Sequence, residues 1–196
     1  ILLLLTAPLA SLVLLAPLPM SVVPVELSPL LWGCTSIAAL YGAAMWATAG
    51  EEVTGRPYWL IAVAGMALAC SIRGYPLAST AWGVTLAISG GMIFLYSIRS
   101  KGLLFIPILG ALMLSGLPFT PAASGWVGLV VPPLNFPDLL FFLAQALLIF
   151  GYLRYGFNGL ESPQKLERWI QTIYPAAFIL IFGSAGLISA LGWAGS

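Results

Sequence analysis

Asp138-Leu139-Leu140-Phe141-Phe142-Leu143-Ala144-Gln145-Ala146-Leu147-Leu148-Ile149-Phe150-Gly151-Tyr152-Leu153-Arg154-Tyr155 is the stretch that decides the fold. Its two charges stand at its ends, and Gln145 is the only amide between them. As a helix it rises roughly 27 Å at 1.5 Å per residue, close to the thickness of a bilayer's hydrocarbon core.

The same pattern recurs on both sides. Every charged side chain (Glu26, Glu51, Glu52, Arg56, Arg73, Arg99, Lys101, Asp138, Arg154, Glu161, Lys165, Glu167, Arg168) sits in or beside a short connector. Between them run apolar stretches of about 15–23 residues. A charge at the centre of a spanning helix costs about 2.5–3.5 kcal/mol on insertion scales, so intramembrane charges normally carry a task. Here the interiors of the spans hold none. Hydrophobic residues make up 61% of the chain and charged residues 7%, with a mean hydropathy of +1.05. A soluble domain has about 25% charged residues, so this surface belongs in lipid.

The expected architecture is all-α: one polytopic transmembrane helix bundle over residues 1–196, with seven or eight spans. The spans are placed at Ile1–Leu18, Leu30–Ala49, Tyr58–Ile72, Leu77–Ile98, Leu103–Leu117, Asp138–Tyr155 and Trp169–Leu191. The first is taken as a span whose true N-terminus precedes Ile1, because it lacks the basic flank and cleavage site of a signal peptide. Arg73-Gly74-Tyr75-Pro76 is read as a tight turn. Gly156–Arg168 is the long polar loop, with a helix start at Ser162-Pro163.

Gly125–Val131 is the ambiguous piece. If it is re-entrant, there are seven spans, and the connectors holding Arg56, Arg99, Lys101, Arg154, Lys165 and Arg168 share one face against Arg73 alone. That is a positive-inside pattern with a cytoplasmic N-terminus. A full crossing gives eight spans and erases the asymmetry.

Residues 30–155 resemble, in order, the second half of the antiporter-like, proton-conducting subunits of respiratory complex I, Mrp antiporters and membrane-bound hydrogenases. Trp32-Gly33-Cys34-Thr35-Ser36-Ile37-Ala38-Ala39-Leu40-Tyr41-Gly42 is similar to the small-residue span that opens that half. Ala111-Leu112-Met113-Leu114-Ser115-Gly116-Leu117-Pro118, continuing through Phe119-Thr120-Pro121 to Ser124-Gly125-Trp126, resembles the family's Gly-Leu-Pro-Pro turn followed by Gly-Phe. Gly151-Tyr152-Leu153-Arg154 sits like its later Tyr-x-x-Arg. The resemblance implies a broken spanning helix around Gly125–Val131, suited by Pro132-Pro133, and so favours eight spans.

The departures are chemical. The family's intramembrane lysine falls near Ser89-Gly90, its histidine near Leu86, and its later lysine or glutamate near Leu129. The long basic connector is cut to Arg99–Gly102. What is implied is a shortened, charge-depleted member: a non-catalytic subunit of a redox-linked assembly. Its partners would be other integral membrane subunits and lipids, in a bacterial cytoplasmic or equivalent energy-transducing membrane. A small autonomous transporter, or an unrelated scaffold subunit of a photosynthetic or cytochrome complex, are the alternatives.

Among individual residues, adjacent Glu51 and Glu52 do not share a helix face and are expected to be solvated. Asp138 is expected to cap its helix. Arg73 is expected to face lipid phosphate, water or a partner subunit. Gln145 is expected to bond a neighbouring helix. Cys34, Ala38 and Gly42 read as a small-residue packing stripe, and both cysteines as packing residues. Arg154 closes its span. With no histidine there is no Ser/His/Asp set and no histidine-held metal, haem or pigment. No phosphate or dinucleotide loop occurs. No enzyme activity, cofactor or nucleic-acid partner is expected; a net charge of +1 offers nucleic acid no attraction.

Overall fold

The computed structural model describes residues 26–95, 104–130 and 132–157, with the single positions Ser11, Pro24 and Ala176. The expected spans Ile1–Leu18 and Trp169–Leu191, and most of the loop Gly156–Arg168, lie outside the described residues. Six α-helices are described: α1 (Ser28–Thr48), α2 (Glu52–Ile72), α3 (Pro76–Leu95), α4 (Phe105–Leu114), α5 (Pro121–Leu129) and α6 (Phe136–Phe157).

The class is all-α, but the count of seven or eight spans is corrected. Among the described residues three helices, α1, α2 and α6, are long and apolar enough to cross a membrane, and they mark an integral membrane protein. The pieces expected at Leu103–Leu117 and Gly125–Val131 form helices of 10 and 9 residues. Each rises only about 14–15 Å, half a bilayer core.

Local chemistry sets the breaks. After α2, Gly74 adopts φ +75, Tyr75 N–H reaches the Cys70 carbonyl and Gly74 N–H that of Ser71, which closes the helix in a Schellman turn. Gly116, at φ +74, ends α4 in the same left-handed way, and Pro118 prevents resumption. Pro121 then opens α5 at a first-turn position, where a missing N–H costs nothing. By contrast, the span expected to start at Tyr58 begins at Glu52. Pro57 removes one hydrogen bond near the helix start, to the carbonyl of exposed Val53, and the helix runs on.

Helices α1 and α2 form a close antiparallel pair. A Cβ on Gly42 would lie 2.6 Å from the Tyr58 carbonyl oxygen, and one on Gly65 would touch Ala39 and Thr35 at 3.4 Å. Helix α6 lies parallel to α1: the Trp32 and Phe141 rings are 5.0 Å apart near one end, and Trp46 Nε1 donates to the Leu148 carbonyl (3.2 Å) toward the other. Helix α3 also runs with α6, tied by the Tyr152 hydroxyl donating to the Ser89 carbonyl (2.7 Å).

The two short helices follow one another in the opposite direction. Along α4, Pro107 packs at Gly156, Gly110 at Tyr152, and the Leu114 carbonyl at Gln145. Along α5, Gly125 packs at Trp82, Gly128 at Ala78, and the Leu129 carbonyl at Arg73. Together they run along α3, interrupted at Ser115–Thr120, and α4 also packs on α6. The break thus precedes α5, rather than falling at Pro132-Pro133.

This gives the bundle two ends. Glu51, Glu52, Arg56 and Arg154 lie at one, and Arg73 and Asp138 at the other. Fully buried Trp46, Trp59, Trp82, Phe141, Met66, Leu86 and Tyr152 fill the space between.

Candidate functional site

The polar groups gather at three levels: one cluster at each end and one at the break. At the Arg73 end, the arginine follows α2 and turns its guanidinium onto the chain's own groups while staying partly exposed. Its guanidinium donates to the Leu129 carbonyl (2.8 Å), lies 4.3 Å from the centre of the Trp32 ring, and stands 3.8 Å from the Asp138 carboxylate. Helices α1, α2, α5 and α6 meet on this one cation. Arginine suits such a place because its planar fork stacks on an aromatic face while its edges donate.

Asp138 has no exposed side-chain surface. It is the third residue of α6, and its Oδ2 accepts the Asn135 N–H at 2.7 Å, the reciprocal half of a capping box. Among the described residues its Oδ1 accepts no hydrogen bond and faces only the arginine charge.

At the opposite end, Arg154 donates to the Ala47 (2.6 Å) and Ala49 (3.2 Å) carbonyls. The Tyr155 hydroxyl is held by the Trp46 (3.2 Å) and Ala49 carbonyls. The last turn of α1 thereby receives the donors that a helix C-terminus lacks. Glu51 is exposed, but Glu52 departs from the expected solvated carboxylate: its side chain keeps only 11% exposure and pairs with Arg56 one turn along (2.6 Å), so the adjacent acids diverge.

Between these ends lies Gln145. It is buried, and its amide donates to the Leu114 carbonyl, the final one of α4. Its Oε1 accepts no hydrogen bond among the described residues. Gln145 stands about 14 Å from the start of α6, near the middle of that helix.

The stripe of Cys34, Ala38 and Gly42 is corrected. Gly42 is the close-approach point, but Ala38 is half-buried and Cys34 exposed. Each four-residue step turns a helix about 40° past a full turn, so Cys34 sits far around from Gly42. The buried face instead follows Thr35, Ala39, Gly42, Ala43 and Trp46. Cys70 is buried at the Gly125 carbonyl (3.5 Å).

Sequence reasoning missed the Arg73–Asp138 pair and the tyrosine and tryptophan bonds that bind α6 to α1 and α3. The seven-span count did hold a signal for the first, since it places Arg73 and Asp138 on one face. No group of three or more His, Cys, Asp or Glu poised for a metal occurs among the described residues. No family model, no curated protein and no solved structure matches the chain.

Proposed function

We propose that the chain is a non-catalytic integral membrane subunit of a larger redox-linked, complex I-like assembly: a charge-depleted, antiporter-like subunit whose task is lateral packing. The observation that carries this is the tandem of α4 and α5. The resemblance implies a broken spanning helix around Gly125–Val131 next to a separate span over Leu103–Leu117; on our reading α4 and α5, end to end along α3, stand in their place as one shortened passage. The group at the break is the neutral Gln145, where a proton relay needs a titratable one.

The charges at the ends support the same role. Arg73 and Arg154 are engaged by the chain's own carbonyls and rings, which fixes the helix ends in place. On this account α1, α2, α3, the α4–α5 tandem and α6 make five passages. Arg56 and Arg154 then share a face, as the positive-inside pattern requires.

A discontinuous helix at mid-depth is also what small transporters use, and that is the second reading. Mild detergent extraction from the native membrane, native electrophoresis and mass spectrometry of the comigrating chains separate the two. Comigration with quinone-reductase or hydrogenase subunits supports the packing role; migration alone or as a homo-oligomer overturns it and favours the transporter.

A further inference from the structure

The α4–α5 break carries a second message on its outer side. Leu117 is 50% and Phe119 93% exposed there, and Phe119 is held at φ +71, a conformation costly for a non-glycine residue. The Ser115 and Thr120 hydroxyls are already spent on the Leu112 and Leu117 carbonyls. Among the described residues, no hydrogen bond engages the carbonyls of Gly116 and Pro118 or the N–H of Phe119. Irregular backbone at this depth is tolerated only where protein or a water-filled cavity covers it, because lipid tails offer neither donor nor acceptor.

We infer that the outer face of Ser115–Phe119 is a subunit contact, covered by a transmembrane helix of a different polypeptide that presents a Ser, Thr, Asn or Gln side chain at mid-depth. The complementarity is electrostatic. The break leaves both carbonyls and an N–H unmet, so its occupant must donate and accept, as hydroxyl and amide side chains do. Phe119 supplies the apolar knob such a contact centres on. This inference rests on the packing role and names the surface that performs it.

The test places photoreactive p-benzoylphenylalanine at Phe119, at Leu117 and, as control, at Ile37, which is 62% exposed midway along the regular helix α1. Each full-length variant is irradiated in its native membrane, and the adducts are mapped by mass spectrometry. Positions 119 and 117 are expected to label one other integral membrane chain, within an apolar segment holding Ser, Thr, Asn or Gln, while position 37 labels lipid. Phe119→Ala is expected to lower the comigrating fraction about tenfold, with Ile37→Ala unchanged. Lipid adducts alone at 119 and 117, adducts to a second copy, or adducts within the same chain overturn the contact. Lipid adducts alone from a chain that still comigrates with an assembly overturn the contact and leave the packing role standing. Migration alone overturns both.

Discussion

The Arg73 guanidinium lies 3.8 Å from the Asp138 carboxylate, linking the end of α2 to the start of α6 with no exposed surface on the acid. Because the arginine side chain keeps 22% exposure, removing the acid leaves a cation that water still reaches in part. Asp138→Ala is therefore expected to cost about 2–3 kcal/mol, below the 3–5 kcal/mol of a fully buried pair. Asp138→Asn retains an acceptor for the Asn135 N–H and is expected to cost less. Unfolding of the purified chain in mixed micelles orders the three proteins, and Asn as costly as Ala contradicts the capping contact.

Gly110 and Tyr152 form a lock of a different kind. A Cβ at Gly110 overlaps the Tyr152 hydroxyl, which is itself bonded to the Ser89 carbonyl. Gly110→Ala is expected to destabilise by about 1–3 kcal/mol through overpacking. Tyr152→Phe removes the obstructing oxygen, so the double variant is expected to be more stable than the sum of the single effects. Additive losses in a double-mutant cycle contradict the contact.

The α1–α2 approach predicts a contrast between two glycines of one helix. At Gly42 an added methyl group meets the backbone of α2 at 2.6–2.8 Å, whereas at Gly33 nothing lies within 4 Å. Gly42→Ala is expected to lower the midpoint of thermal unfolding by several degrees, from a loss of about 1–3 kcal/mol. Gly33→Ala is expected to be neutral or slightly stabilising, as alanine is the better helix former.

Gln145→Leu strips the Leu114 carbonyl of its donor. Hydrogen bonds between membrane helices average about 0.6 kcal/mol, with the largest near 1.7 kcal/mol. The expected loss is therefore about 1 kcal/mol, read by the same unfolding assay, with Gln145→Met as the apolar control for shape. A Gln145→Leu protein as stable as the parent contradicts an energetic role for the amide.

The elements with charges at both ends and unbroken apolar interiors, α1 and α6, were legible from residue order because lipid imposes length and composition directly. The turn at Gly74 was legible too, since glycine marks a left-handed helix end. The tandem of α4 and α5 was not. An apolar run reads alike whether it crosses or stops halfway, and only Gly116 and Pro118 mark the stop. The Arg73–Asp138 contact depends on how α2 and α6 sit side by side, which local pattern leaves open. The small-residue stripe failed for a simpler reason: stepping by four drifts around a helix whose turn is 3.6 residues. Cys34 therefore ends outside the interface.

The five-passage arrangement depends on α4 and α5 together making a single passage, and side-specific labelling tests that most directly. Single cysteines at Glu51, Tyr75 and Phe157, each in a background with Cys34 and Cys70 replaced by Ala, are probed with a membrane-impermeant maleimide in oriented vesicles. One passage through α4 and α5 predicts that positions 51 and 157 label from the same side and position 75 from the other. Labelling of 157 together with 75, on the side opposite 51, means that α4 and α5 cross separately and contradicts the account.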